Sequence, residues 1–165
     1  MTHKSAVLSD CGTYRYRLDR EWGSGVGTLY GFVGVNPSTA DADLEDATTR
    51  KWEGFVRRWG GDGYTVVNLF AYRAPDVREL GRVEDPFGPL NGHYLRDMLA
   101  QVDVVVPCWG DVAKVPRKHH GHVAYTLAWI RAAVGKPVKH LGLTKGGSPK
   151  HPLMLPYSTQ LEDFR

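Results

Sequence analysis

Hydrophobic and polar residues follow each other in blocks along this chain, and the blocks predict strands and helices in turn. Continuous apolar runs, typical of strands buried on both faces, occupy residues 28–35, 64–70, 102–107 and 138–143. Apolar residues spaced three or four positions apart, typical of amphipathic helices, occupy 47–58, a segment capped by Asn91, and 122–134. Near the start, Tyr14, Tyr16 and Leu18 alternate with polar residues, which predicts an edge strand or hairpin arm.

Alternating strands and helices predict an α/β fold. We expect a three-layer α/β/α arrangement with a central, mainly parallel four-stranded sheet, plus a short N-terminal β hairpin, in one domain covering residues 1–165. Ligands of such sheets bind beyond the carboxyl ends of the strands, which lie at the same edge. The segments expected to share this cleft are 36–38, Asn68, 108–110 and 144–151.

The composition narrows the class of protein without naming a partner. The net charge of +3 and the isoelectric point of about 8.9 are compatible with a polyanion but also with an ordinary solvated surface. No apolar signal-peptide core follows Met1, and no run approaches the roughly 18 apolar residues of a membrane helix. We expect a cytoplasmic monomer without a membrane partner or cofactor, and free thiols at Cys11 and Cys108.

Two asparagines lie where the predicted cleft would be. Asn36 follows a buried strand in the loop Gly34-Val35-Asn36-Pro37-Ser38, where its amide can orient a water or a ligand, or shape an Asx turn. Asn68 sits among apolar residues near the end of the next strand. It can hold a planar heterocycle through a donor and an acceptor, or satisfy the backbone inside the core. The sequence leaves both pairs of alternatives open.

The chain after the last predicted strand carries a second group of candidates. Lys145, Gly146, Gly147 and Ser148 form a glycine-rich loop whose backbone N–H groups can approach a phosphate, with lysines on both sides. The spacing is not that of the nucleoside triphosphatase loop. His151 follows in the same loop, where a histidine can donate to developing negative charge.

Acidic, histidine-rich and aromatic segments complete the candidates. The acids of 41–46 fit a helix N-terminus better than a calcium loop, although Asp41 or Asp46 could assist catalysis. The histidines of 119–122 are interpreted as part of a basic mobile loop, so no metal site is predicted. The spacing of the aromatics favours the core for most of them, but Phe70 and Trp109 lie near strand ends, and Phe70 is the preferred residue for stacking on a base.

Several of these segments carry a resemblance to a known family. Together they resemble an uncharacterised family of bacterial and phage proteins, over nearly the whole chain from about Tyr14 to Pro156. The segments are Gly34-Val-Asn-Pro-Ser-Thr-Ala-Asp41, Val67-Asn-Leu-Phe-Ala71, Trp109-Gly110, and residues 143–153 with the pattern Leu-Thr-Lys-Gly-x-x-Pro-x-His-Pro-Leu.

A more distant resemblance is to the uracil-DNA glycosylase superfamily. The loop 34–38 is similar to the motif Gly-Ile-Asn-Pro-Gly of its mismatch-specific branch, which implies that Asn36 positions the hydrolytic water. Residues 66–68 are similar to the strand whose asparagine reads the base edge, and residues 151–153 to the motif whose histidine stabilises the departing base. Ser38 stands where the motif has glycine and Leu153 where it has serine, which leaves room for a base other than uracil.

The resemblance implies a DNA glycosylase that flips a base out of DNA and hydrolyses its N-glycosidic bond. In this hypothesis Asn36, His151 and Asp41 are catalytic. The substrate-binding residues are Gly34, Pro37, Ser38, Asn68, Phe70, Trp109, Lys145, Gly146, Gly147 and Ser148. The alternatives are an enzyme that acts on free or modified nucleotides, and a non-catalytic reader of modified DNA bases.

Overall fold

The computed structural model describes residues 1–133 and 135–165, so Val134 at the end of the predicted last helix lies outside the described residues. The strands are β1 His3–Leu8, β2 Arg15–Glu21, β3 Leu29–Gly34, β4 Gly63–Asn68, β5 Val104–Pro107, β6 Lys139–His140 and β7 Glu162–Asp163. The α-helices are α1 Ala47–Arg58, α2 Asn91–Gln101 and α3 His120–Ala133. Short 3₁₀ turns are Val77–Gly81, Val112–Lys114 and Arg117–His119. None of these helices is long and apolar enough to cross a membrane.

The main sheet has five strands in the order β1-β2-β4-β3-β5. The strands β4, β3 and β5 are parallel, and the antiparallel hairpin β1–β2 extends the sheet because β2 pairs with β4. The α/β class and the N-terminal hairpin are therefore as predicted. The four-stranded, mainly parallel sheet is not, because the hairpin is part of the sheet and β5 is its last strand.

The fourth predicted strand, at residues 138–143, is reduced to β6. This strand pairs antiparallel with β7 in a separate two-stranded sheet, and a single parallel bridge between Val105 and Val138 links it to β5. Gly142 has a φ of 102°, in the left-handed region that interrupts an extended strand, and its N–H donates to Nδ1 of His140. The turn at Gly142 explains the short strand.

Apolar layers cover both faces of the parallel strands. Adjacent residues alternate between the faces, as the pleat of a strand requires. On one face Phe32 and Val66 pack with Trp52 and Val56 of α1. On the other face, Val33 and Val67 pack with Leu95 and Met98 of α2 and with Val123 and Ile130 of α3. The sheet is thus enclosed between helices.

The ends of two helices fix the loops around the sheet edge. Asp46 caps α1 by accepting from the N–H of Thr49, and the hydroxyl of Thr49 in return accepts from the N–H of Asp46. The predicted cap of α2 is wrong, because Leu90 is the capping position and Asn91 is the first helical residue. The buried amide of Asn91 instead donates to the carbonyl oxygens of Asn68 and Leu69, which ties α2 to the end of β4.

The two cysteines are free thiols, as predicted. Cys108 follows β5 and is fully buried, and burial raises its pKa to about 12. Cys11 is exposed in the turn before β2. The Cys108 thiol therefore remains protonated at neutral pH and packs as an apolar group.

Candidate functional site

A cleft of about 240 Å³ opens at the carboxyl ends of β3 and β4. The structure brings together there Asn36, Asn68 and His151, although Asn36 and His151 are 115 positions apart in the sequence. The lining residues are Arg15, Gly34, Val35, Asn36, Ser38, Asp46, Thr48, Trp52, Asn68, Ala74, Pro75, His151 and Leu153. Of the segments expected to share it, 108–110 contributes no lining residue and 144–151 contributes only His151.

Asn36 is held in one orientation. Its Nδ2 donates to the carbonyl oxygen of Ala74 at 2.7 Å and to that of Pro37 at 3.1 Å. Because both partners are acceptors, the side facing them must be the NH₂ group. The Oδ1 of Asn36 is therefore the polar atom left for a molecule in the cleft, and it can accept a hydrogen bond from water.

Asn68 is the last residue of β4, and its side chain is 2% exposed. Its Oδ1 lies against Gly34, where a Cβ atom would meet it at 2.6 Å. Within the described part of the chain no residue forms a hydrogen bond with the Asn68 side chain, although a buried amide requires partners. A ligand that offers one acceptor and one donor would supply them.

His151 lines the cleft with a defined tautomer. The N–H of Leu153 donates to its Nδ1 at 3.2 Å, so the neutral ring carries its proton on Nε2. Burial lowers the pKa of His151 below its ordinary value of 6.5; the carboxylate of Asp46 opposes this effect and the ammonium of Lys114 adds to it. At neutral pH the residue is an uncharged donor.

The carboxylate at the cleft is Asp46 and not Asp41. Burial disfavours the ionised form of Asp46, but hydrogen bonds from the Thr49 N–H and the Ser38 hydroxyl outweigh it and hold its pKa below the usual range. Asp41 lies outside the lining, and its Oδ1 accepts from the N–H groups of Asp43 and Leu44. The assignment of Asp41 to catalysis is therefore corrected: this residue closes a turn.

Arg15 is a cleft residue that the sequence analysis missed. It begins β2 and is 3% exposed, and its Nη1 donates to the carbonyl oxygen of Ala40 at 2.6 Å. The alternation around Tyr14 and Tyr16 marked position 15 only as polar, since nothing local shows that the loop carrying Ala40 covers it. Asp46 was the open alternative to Asp41, and its position in the cleft lining follows from the start of α1 at Ala47.

Phe70 and Trp109 lie in the core on the other face of the sheet. Phe70 is 0% exposed and packs against Phe87, His119 and His122. Trp109 is 4% exposed in the same apolar cluster. Neither ring lines the cleft, so the stacking role predicted for Phe70 and the substrate contact predicted for Trp109 are corrected. Trp52 of α1 is the aromatic residue at the cleft.

The glycine-rich loop uses most of its donors internally. The N–H of Gly147 donates to the Thr144 carbonyl, and the N–H of Ser148 donates to the Thr144 hydroxyl. The buried Ser148 hydroxyl accepts from the N–H of Val112. Gly147 and Ser148 are thus structural in this conformation, while Lys145 and Gly146 are exposed. A phosphate cradle made from all four residues is not formed.

The histidines of 119–122 lie in helical backbone and not in a mobile loop. His119 bonds the carbonyl oxygen of Leu80, His120 that of Val115 and His122 that of Leu69. Each imidazole thereby fixes a different neighbouring segment. Among the residues that the structure describes, no group of three His, Cys, Asp or Glu side chains is arranged to hold a metal ion.

The fold and cleft define an α/β protein with a polar cleft at the carboxyl ends of its parallel strands. A match over residues 15–153 shows that the chain belongs to the family described as Protein of unknown function (DUF1643). No curated protein and no solved structure shows significant similarity to it.

Proposed function

We propose that the protein hydrolyses the N-glycosidic bond of a nucleotide in DNA. The observation that carries the proposal is the meeting of Asn36, Asn68 and His151 in one cleft, with an acceptor, an unbonded amide and a neutral donor. These three residues also carry the resemblance to the uracil-DNA glycosylase superfamily. A flipped base fits the requirement of Asn68 for a partner with both a donor and an acceptor.

The reaction follows from the chemistry of these groups. Water attacks the anomeric carbon, the bond from this carbon to the base nitrogen breaks, and both electrons leave with the base. Oδ1 of Asn36 orients the water and the carboxylate of Asp46 takes its proton. The Nε2–H of His151 donates to the base anion, which later takes a proton from solvent. The sugar keeps the hydroxyl group.

A basic groove beside the cleft supports a polymeric substrate. Pro75 lines the cleft, and the next residue, Asp76, lines a groove of about 760 Å³ that also carries Lys114 and Arg117. Lys114 is close enough to His151 to lower its pKa. Phosphates that flank a nucleotide in the cleft would run along this groove, where exposed cations neutralise them.

Release of free base from oligonucleotides tests the proposal. The panel contains uracil, mismatched bases and phage-type modified bases, and strand cleavage at the resulting abasic site is the readout. We expect one base to be released, and Asn36→Ala and His151→Ala to slow release about 10²–10³-fold, the effect of losing one preorganised donor or acceptor. His93→Ala, which removes an exposed histidine of α2, is the matched control and should retain activity.

The other outcomes identify the alternatives. Intact DNA with tight binding to one modified base would indicate a non-catalytic reader. Turnover of mononucleotides that does not respond to salt would indicate an enzyme of free nucleotides, because DNA binding weakens steeply with salt. Full activity of His151→Ala would contradict the assigned mechanism.

A further inference from the structure

Two buried arginines in neighbouring parts of β2 differ in how their charge is compensated. Arg20 is 0% exposed and pairs through Nε with Glu45 at 2.7 Å. Its other nitrogens donate to the carbonyl oxygens of Asp19, Ser5 and Asp41. Every nitrogen of this guanidinium therefore has a partner, and Arg20 serves to fix the loop before α1.

Arg15 lacks this compensation. Its Nη1 donates to Ala40, but its Nε is buried without a partner. Among the described residues, no carboxylate oxygen lies within 4.0 Å of its guanidinium. Asp46 is near enough to favour its charge, but it forms no ion pair with Arg15.

A buried cation without a paired anion is unfavourable in a folded protein. Burial accordingly lowers the pKa of Arg15 to about 10, although the group is still charged at neutral pH. The side chain is not enclosed in the core, because it forms part of the wall of the cleft. An anionic group bound in the cleft would supply the opposite charge that the guanidinium lacks.

We propose that Arg15 forms an oxyanion subsite within the cleft, which binds a phosphate or carboxylate group of the substrate. This inference rests on the proposed function only in taking the cleft as the substrate site. The planar guanidinium is suited to both oxyanions through paired N–H···O bonds. The subsite selects acidic ligands over neutral ones of the same shape, whether the protein hydrolyses the ligand or only binds it.

Binding measurements with four probes test the subsite. The probes are inorganic phosphate, a pyrimidine deoxynucleoside, its 5′-monophosphate and a pyrimidine carboxylate, and affinities are measured by calorimetry on the full chain. We expect an acidic probe to bind at least about tenfold more tightly than the neutral nucleoside, which is the contribution of one hydrogen bond to a charged group. Arg15→Met should remove this advantage. Arg57→Met, which removes an exposed arginine near the end of α1, should preserve it.

The pattern of affinities identifies the source of the oxyanion. Preference for the monophosphate over both nucleoside and carboxylate assigns the subsite to a phosphate, and preference for the carboxylate assigns it to an acidic base. Equal affinities for acidic and neutral probes, or an advantage that survives in Arg15→Met, would overturn the proposal. If the wild-type protein releases a base but does not prefer acidic probes, only the oxyanion subsite is contradicted. If it prefers acidic probes but releases no base, only the proposed function is contradicted.

A second variant guards against loss of folding, since Arg15 also holds the Ala40 carbonyl. If near-ultraviolet circular dichroism shows that Arg15→Met is unfolded, Arg15→Lys replaces it and should weaken the acidic preference. In the wild-type protein, the Nε–H resonance of Arg15 should shift on addition of the preferred acidic probe. The absence of a shift at saturation would overturn the proposal without any variant.

Discussion

Oδ1 of Asn68 lies so close to Gly34 that a Cβ atom on residue 34 would meet it at 2.6 Å. The two residues are partners in the parallel pairing of β3 and β4, at the last position of each strand. Because Gly34 has no side chain, the Asn68 amide can occupy this space at the floor of the cleft. The glycine of the loop sequence has a steric role toward its neighbouring strand.

Gly34→Ala should therefore impair the site more than the fold. We expect the methyl group to displace the Asn68 amide, with a loss of about tenfold or more in base release or ligand affinity, and a cost of about 1–3 kcal/mol in the free energy of unfolding, as overpacking gives. The measurements are oligonucleotide cleavage and urea denaturation. Gly92→Ala is the control, because its added Cβ meets nothing within 4 Å in α2. Unchanged function in Gly34→Ala would contradict the role of Asn68.

Asp46→Asn and Asp41→Asn form a matched pair that separates the two acids of one loop. Asparagine caps helices as well as aspartate does, so Asp46→Asn should retain α1. It removes the group that takes the proton, and we expect base release to fall by about 10²–10⁴-fold. Asp41→Asn removes the same charge from a turn outside the cleft and should stay within a few-fold of wild type. Equal effects in both variants would show that only the net charge matters.

The elements around the site could largely be predicted because their signals are local. Continuous apolar runs marked β3 and β4, and the acidic cap followed by apolar spacing marked α1 with the bounds observed, 47–58. Since the carboxyl ends of parallel strands meet, the sequence could also predict that Asn36 and Asn68 approach each other.

The remainder depends on long-range packing that local patterns do not report. The apolar run from Tyr64 continues to Phe70, which fits the core as well as a site beyond the strand end. The pattern did not decide between them: β4 ends at Asn68, and Phe70 enters the core. The local sequence does not distinguish Arg15 from the other arginines of β2, because its burial depends on the distant loop that carries Ala40. Which of Asp41 and Asp46 lies at the cleft also depends on packing, since the Ser38 hydroxyl of the cleft loop donates to Asp46.

The pH profile of base release should show that His151 acts in its neutral form. Because burial lowers its pKa below 6.5, the ring is already neutral at pH 7, and activity should fall only when the pH drops below 6.5. The free energy of unfolding should change with pH in the same direction as the rate. The unfolded chain takes up a proton near pH 6.5 that folded His151 does not, so the free energy of unfolding decreases as the pH falls through this range.

Two measurements check these signs. The rate of base release is followed across pH 5–8, and urea denaturation compares wild type with His151→Gln over the same range. The variant should lose the part of the pH dependence of stability that His151 contributes. A rate that instead falls as the pH rises above 6.5 would mean that the charged imidazolium is the active form.

The basic groove beside the cleft predicts how binding to DNA responds to salt. Lys114 and Arg117 are exposed in this groove, so each should neutralise one phosphate. Replacing either residue by alanine should reduce the slope of log affinity against log salt concentration by about one, and should weaken binding about equally for all sequences. Fluorescence anisotropy with a catalytically impaired Asn36→Ala protein measures this slope without product formation.

Lys139→Ala is the control, since Lys139 pairs with Asp163 on the separate two-stranded sheet and lies outside the groove. A slope that changes equally in all three variants would mean that DNA binding depends only on the overall charge of the protein. A slope near zero in the wild type would exclude a DNA substrate.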